Sequence, residues 1–197
     1  MNPPPLFATP ELQAHELPES GLDELQAWLD SNPGYSMLIN GRPPLPDEAR
    51  TLFTSRPPPH LPSDRHVVAG VREAGGALAG VVIVDTDLVA PGAWHIALFH
   101  LAERLHGRGL AAPLHAALQA WAQAGGARWL RLSVIVGNRR AEAFWARQGY
   151  TELRQRHGID TGARTHSARV MLKPLGPAGI ADYLQLVPRD RPDSPLP

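Results

Sequence analysis

Residues 94–111 read WHIALFHLAERLHGRGLA. The run Trp94–Leu101 is apolar and β-prone, and His106-Gly107-Arg108-Gly109 is a turn feeding a helix that carries Leu110, Leu114, Leu118 and Trp121 on one face. Pro113 falls near the edge of the first helical turn, where a missing N–H is least costly. A strand, a glycine turn and a helix N-terminus together make a ready anion site, because free N–H groups and the helix dipole favour phosphate oxygens. A P-loop would need Lys-Ser/Thr after the last glycine, and the only lysine is Lys173, which excludes that reading. Gly107–Ala112 matches the loose dinucleotide pattern G-x-G-x-x-G/A. However, the next strand ends in Val136-Gly137-Asn138, with no acidic residue to hold a ribose. On this motif alone, a structural turn that binds nothing competes evenly with a phosphate site.

Working outward, Gly125-Gly126 stops the helix and residues 128–136 (RWLRLSVIV) read as a strand. Asn138 begins a helix to about Gln148, and two strands follow near 150–157 and 165–173. Upstream, residues 65–73 and 77–86 form a hairpin around Ala74-Gly75-Gly76. Further back, Ser20 and Asp23 resemble a capping box ahead of Leu22, Leu25 and Leu29. Asn32-Pro33-Gly34 ends that helix, Pro46-Asp47-Glu48 starts a short one towards Phe53, and Arg56-Pro57-Pro58-Pro59 is a linker. The two short helices are expected to dock through Trp28, Leu29, Leu52 and Phe53. The order predicts an α+β (mixed α/β) domain with one parallel crossover.

The 197 residues fit one domain with an extension, and the absence of cysteine excludes a disulfide framework, a thiolate metal site and a cysteine nucleophile. Thirteen of the 21 prolines lie in 1–62, two in 63–173 and six in 174–197, so the middle reads as the folded core between irregular flanks. The formal net charge of zero is a cancellation between −5 in 1–62, +6 in 63–173 and −1 in the tail. A basic core suits an anionic ligand. The sequence shows no run of eighteen apolar residues and no signal-peptide pattern in MNPPPLFATP, so a soluble cytoplasmic protein is expected. No H-x-x-x-H or H-E-x-x-H spacing points to a metal.

The second segment is Val136-Gly137-Asn138-Arg139-Arg140-Ala141-Glu142-Ala143-Phe144-Trp145-Ala146-Arg147-Gln148-Gly149-Tyr150. With it, residues 65–173 resemble the GNAT superfamily of acyl-CoA-dependent N-acetyltransferases. Their pattern Q/R-G-x-G-x-G/A is met by His106-Gly107-Arg108-Gly109-Leu110-Ala111, and their N-x-x-A-x-x-F-Y-x-x-x-G-F/Y by Asn138, Ala141, Phe144, Trp145, Gly149 and Tyr150. Two departures stand out. His106 replaces Gln or Arg, and Trp145 replaces the Tyr whose hydroxyl often protonates the departing thiolate.

The resemblance implies a central, mostly antiparallel mixed sheet flanked by helices, with splayed parallel strands forming an acyl-CoA cleft. It divides the chain into a Pro-rich helical extension over 1–62, expected on the acceptor side, an acetyltransferase core over 63–173 and a partly irregular tail over 174–197. Backbone groups of Phe99, His100 and Leu101 would meet the pantetheine arm and steady the developing oxyanion. The turn residues His106, Gly107, Arg108, Gly109, Leu110 and Ala111 would hold the pyrophosphate, with Arg139, Arg140 or Arg147 as further phosphate partners. Asn138 is a helix N-cap that also contacts the cofactor arm, and Phe144 lies in the same motif, where packing accounts for it equally well. The His100 side chain is expected to point towards His166 or solvent.

Amine attack needs a proton acceptor. His95 overlays a frequent basic Glu of the family and is the leading base, ahead of Asp85, Asp87, Glu103 and His166. For the missing Tyr, either Tyr150 or a water is expected to supply the proton, or the thiolate leaves without a dedicated acid. The implied reaction is transfer of an acetyl group from acetyl-CoA, as co-substrate and with no metal, to a primary amine of a small molecule or peptide. Neither nucleic acid nor a membrane is expected as a partner, and a monomer or homodimer is. The acidic segment with Asp23, Glu24, Asp30, Tyr35, Asp47 and Glu48 would suit a cationic acceptor, although capping and solubility explain most of it. A non-catalytic acyl-CoA-binding module is the alternative that Trp145 motivates.

Overall fold

Two short strands that the proline-rich flank hides from a sequence reading, β1 (Phe7–Ala8) and β2 (Leu12–Glu16), open the fold. They appear in a computed structural model that describes residues 4–196. Met1–Pro3, part of the segment read for a leader, and Pro197 lie outside it. β2 runs antiparallel to β3 (His66–Glu73), with Leu12 and Ala14 fully buried and Gln13 exposed, the alternation of a strand with one face inward. β1 packs onto the core through the Phe7 ring, 5.6 Å from Trp121.

Between β2 and β3 lie three helices, α1 (Leu22–Asp30), α2 (Gly34–Asn40) and α3 (Glu48–Thr54). α1 starts from a 3₁₀ turn over Glu19–Gly21, and its N-cap is Gly21 without a side-chain cap, so the expected Ser20–Asp23 capping box does not form. Burial of Leu22, Leu25, Trp28 and Leu29 does the stabilising instead, at about 1.5–3 kcal/mol for each large apolar side chain. Asn32-Pro33-Gly34 ends α1 as expected and also starts α2, which the sequence reading missed.

The remaining elements follow the predicted order. β3 and β4 (Leu78–Asp85) form the hairpin, and β5 (Ala93–Leu101) pairs antiparallel with β4. α4 (Ala111–Ala124) crosses over to β6 (Trp129–Ile135), which runs parallel to β5. Leu114 makes the first helical bond of α4, to the Leu110 carbonyl, so Pro113 interrupts none. After α5 (Arg139–Arg147) come β7 (Thr151–Thr161) and β8 (Arg164–Pro174), with β8 inserted between β6 and β7. The sheet order is β1-β2-β3-β4-β5-β6-β8-β7, the mixed, mostly antiparallel arrangement expected. The tail adds α6 (Ile180–Leu186), whose Tyr183 is fully buried 5.7 Å from the Trp129 ring. No helix among the described residues is long and apolar enough to cross a membrane.

Candidate active site

The parallel pair β5–β6 holds together only from Ala93–Trp129 to Ile96–Leu132. There β5 takes an extra residue against β4: Ile83 faces Leu98 while Val84 faces Ile96, leaving Ala97 as a bulge. Beyond it β5 keeps β4 on one side and, among the described residues, has no strand on the other, so its outer edge is left without strand pairing. The opening is a slot of about 90 Å³ lined by Ile96–Phe99, Leu132–Ile135, Asn138, Ala141 and Trp145, and roofed by Tyr35 and Ile39 of α2.

At the far end of β5, Gly107 and Gly109 adopt φ of +77° and +78°, a left-handed backbone that glycine enters at little cost. Space beside both is open. Among the described residues, no acceptor pairs with the N–H groups of Gly109, Leu110 or Ala111 at the start of α4. His106 braces this turn. Its Nδ1 accepts from the Arg140 guanidinium at 2.7 Å, and its Nε2–H donates to the Leu101 carbonyl at 2.9 Å. The residue that departs from the expected Gln or Arg therefore joins the end of β5 to the start of α5. Asn138 caps α5 by accepting from the Ala141 N–H at 3.2 Å, and it also lines the slot. Beneath the slot, Phe99, His115, Phe144, Trp145 and Tyr150 form one aromatic cluster with centroid spacings of 4.8–6.4 Å.

A second cavity, about 550 Å³, opens beside the slot and shares Tyr35, Ile39, Ala97, Leu98 and Ser133 with it. Its floor carries a row that strand register creates. His66 pairs with Asp85, Asp85 with His95, and His95 with Arg131, across β3, β4, β5 and β6. All four residues line the cavity. The His66 Nδ1 lies 2.6 Å from Asp85 Oδ1, and its Nε2 lies 3.1 Å from the Leu52 carbonyl. Arg131 donates through Nη1 to His95 Nδ1 at 3.1 Å and through Nε and Nη2 to both oxygens of Asp190, at 2.7 and 3.1 Å. Asp190 also accepts from Arg156 at 2.9 Å and from the Tyr183 hydroxyl at 2.5 Å. Burial alone would raise the Asp190 carboxyl, but the hydrogen bonds and charge of Arg131 outweigh it and hold it at about 2.

This geometry weighs against His95 as the base. Arg131 can only donate, so Nδ1 accepts and the ring proton sits on Nε2. Burial, and then the Arg131 charge, push the imidazole down to about 3. His95 is a neutral N–H donor here. The assignment of Tyr150 as acid meets a similar obstacle. Its hydroxyl is buried 3.0 Å from His115 Nε2, and it lines neither cavity. His100 points neither to His166 nor to solvent. It is 6% exposed, packed 4.9 Å from the Trp28 ring and 5.1 Å from Tyr35. Burial, and then His106, lower it to about 4.

Of the other predicted residues, Phe99 lines the slot and Phe144 stacks on it at 6.0 Å. Leu101 is buried, and Leu110 and Ala111 pack partly against the core at the turn. Arg108 is exposed on the turn, whereas Arg147, exposed at the last position of α5, reaches neither cavity. Asp87 caps its own loop by accepting from the Gly92 N–H, and Glu103 accepts from the Gly34 N–H at 2.7 Å. His166 lies 2.7 Å from the Ile39 carbonyl. Of the acidic flank only Tyr35 and Glu48 line the large cavity, while Glu24 is paired with Arg72 on the surface. Sequence reasoning missed Arg131, Arg156, Asp190 and Tyr183. Their one available signal was a Tyr and an Asp in a tail otherwise read as irregular.

The sequence matches the Acetyltransferase (GNAT) family over residues 22–150, well over half of its length. The chain belongs to the GNAT acetyltransferase family. Among solved structures this GNAT chain is similar to the spermidine N-acetyltransferase from Vibrio cholerae in complex with CoA and spermine (17% identity, 89% of this chain and 99% of that one, TM-score 0.66). It is also similar to a putative phosphinothricin N-acetyltransferase (15%, 84% and 99%, TM-score 0.65). A third is the ribosomal-protein-S18-alanine N-acetyltransferase from Escherichia coli (16%, 86% and 97%, TM-score 0.62). At these identities the likeness establishes the shared GNAT fold. Among curated protein sequences none matches this chain.

Proposed function

We propose that the protein transfers an acyl group, most simply acetyl, from acyl-CoA directly to a primary amine held in the large cavity. The observation that carries this reading is the divergence of β5 from β6 after Ile96, which opens a slot between the glycine turn and the amine-sized cavity. In this assignment the N–H groups of Gly109, Leu110 and Ala111 receive the pyrophosphate, and the Arg108 side chain lies beside it. The edge of β5 from Phe99 to Leu101, where the Leu101 carbonyl is already taken by His106, receives the pantetheine amides and donates to the thioester oxygen. His106 and Asn138 support these contacts as brace and cap.

Amine attack forms the new C–N bond and breaks the C–S bond, so one proton must leave the amine and the thiolate must be stabilised or protonated. With His95 unsuited as base, we assign proton acceptance to Asp85. His66 orients one of its oxygens, and the other carries no hydrogen bond among the described residues. For the thiolate side we assign Tyr35, the phenol common to both cavities, whose ring is fixed against His100. Isothermal calorimetry with acetyl-CoA, CoA and NAD tests the donor: CoA species should bind and NAD should not, and no CoA binding at millimolar concentration would sink the reading. Amine-dependent thiol release then tests the transfer. Trp145 and the buried Tyr150 leave α5 without a phenol in the slot, which favours a second reading, a non-catalytic acyl-CoA-binding module. CoA binding without turnover of any amine would select it.

A further inference from the structure

The large cavity has an unusual balance of charge for a pocket that receives an amine. Among the described residues its walls include Arg56, Arg131 and Arg156 against two carboxylates, Glu48 and Asp85. Both carboxylates already have partners: Glu48 accepts from Arg42 at 3.3 Å and from the Leu45 N–H at 3.1 Å, and Asp85 from His66. Behind the floor, the fully buried Asp190 is shared between two guanidiniums. Arg131 takes both of its oxygens, so Arg156 is left with a single bond through Nη2. The Arg156 Nε is buried and has no partner among the described residues, while 22% of the side chain stays exposed at the cavity. A guanidinium offers five donors in a fixed fork that matches a carboxylate, so Arg156 retains most of its capacity. Burial, and then the charge of Arg131, disfavour its cationic form, as expected for a cation short of counter-charge. Beside it His95 adds a neutral donor, because its Nδ1 is occupied by Arg131 and its proton is on Nε2.

We propose that Arg156 is the specificity-determining residue of an anion subsite in the acceptor cavity, and that the acceptor is a small amino-acid-like molecule whose carboxylate binds there while its amine is acylated. This rests on the N-acyl-transfer reading and names its substrate class. A polyamine would bring a second cation against the arginine wall, so the same wall selects against it. A cavity of about 550 Å³ holds a molecule of amino-acid size with its side chain.

The experiment compares matched acceptors on the full chain with acetyl-CoA: phenylalanine and leucine, their carboxamides, and spermidine. A charge-assisted pair predicts kcat/KM for the free carboxylate about 10- to 100-fold above the carboxamide, with spermidine lowest. Arg156→Gln should raise KM for the carboxylate about tenfold or more and for the carboxamide far less, so that the discrimination collapses, and Arg156→Lys should restore part of it. A carboxamide or spermidine that matches or exceeds the amino acid on the wild-type protein overturns the proposal, and that comparison needs no variant to fold. If CoA binds and no amine turns over, the transfer reading fails separately. Calorimetry of phenylalanine against phenylalaninamide on the CoA complex then decides the subsite, and equal affinities overturn it.

Discussion

The slot and the cavity lie side by side under one helix, yet they are built by different means. The slot consists of backbone: a strand edge released by a bulge at Ala97, a turn of two left-handed glycines, and a cap at Asn138. The cavity consists of side chains that only register and the chain's tail bring together. His66, Asp85, His95 and Arg131 meet because four strands align, and Asp190 arrives from beyond the last strand. A ligand constant across a family can be met by backbone, whereas a ligand that varies needs replaceable side chains, and the two halves divide along that line.

Acid should attack both halves at once, and is the largest effect expected. His95, His100 and His115 are held at about 3, 4 and 4, below the ordinary 6.5, chiefly by burial. Their contribution to stability is complete above pH 6.5 and is lost as pH falls towards those values, because the unfolded chain takes up protons that the folded one refuses. With three groups the slope reaches about 4 kcal/mol per pH unit, placing acid unfolding at about pH 5 by circular dichroism. His115→Gln, on the donor side, should make that slope shallower by about 1.4 kcal/mol per pH unit, and an unchanged slope would remove His115 from the account.

Next in size, Asp190→Asn leaves two guanidiniums without their carboxylate and should cost about 3–5 kcal/mol in urea unfolding. Calorimetry on the protein that remains folded should show CoA affinity unchanged. A parallel loss of CoA affinity would break the division between the halves. Gly109→Val forces a β-branched residue into φ near +78° and should weaken CoA binding about 10- to 100-fold without moving the acceptor preference. The smallest change, Asn138→Ala, removes one cap bond and should cost about 1 kcal/mol in thermal unfolding.

The donor half was legible in the sequence because its determinants are local. A glycine pair after an apolar strand and an Asn before a helix specify their own backbone within a few residues. The acceptor half was largely illegible for the converse reason. That His95 lies beside Arg131 depends on a parallel pairing 36 positions away, and this neighbour turns a plausible base into a donor. Strands β1 and β2 escaped because they are short and lie among prolines, and α2 because Pro33-Gly34, which stops one helix, also starts the next. The Ser20 cap failed where a 3₁₀ turn occupied its place. Charge along the chain located little. In space the acidic flank sends Glu48 to the cavity and spends Glu24 on Arg72.

The helix over both cavities is fastened at each end. Glu103 accepts from the Gly34 N–H at one end. At the other, the Leu38, Ile39 and Asn40 carbonyls accept from Arg164, Thr161, His166 and the Ala163 N–H at the tip of the β7–β8 hairpin. A crossbar bolted at both ends does not swing aside, so in the proposed transfer donor and acceptor would come in by separate doors and meet beneath it. On that reading the same fastening that packs the helix would also limit the water reaching the thioester before an amine does.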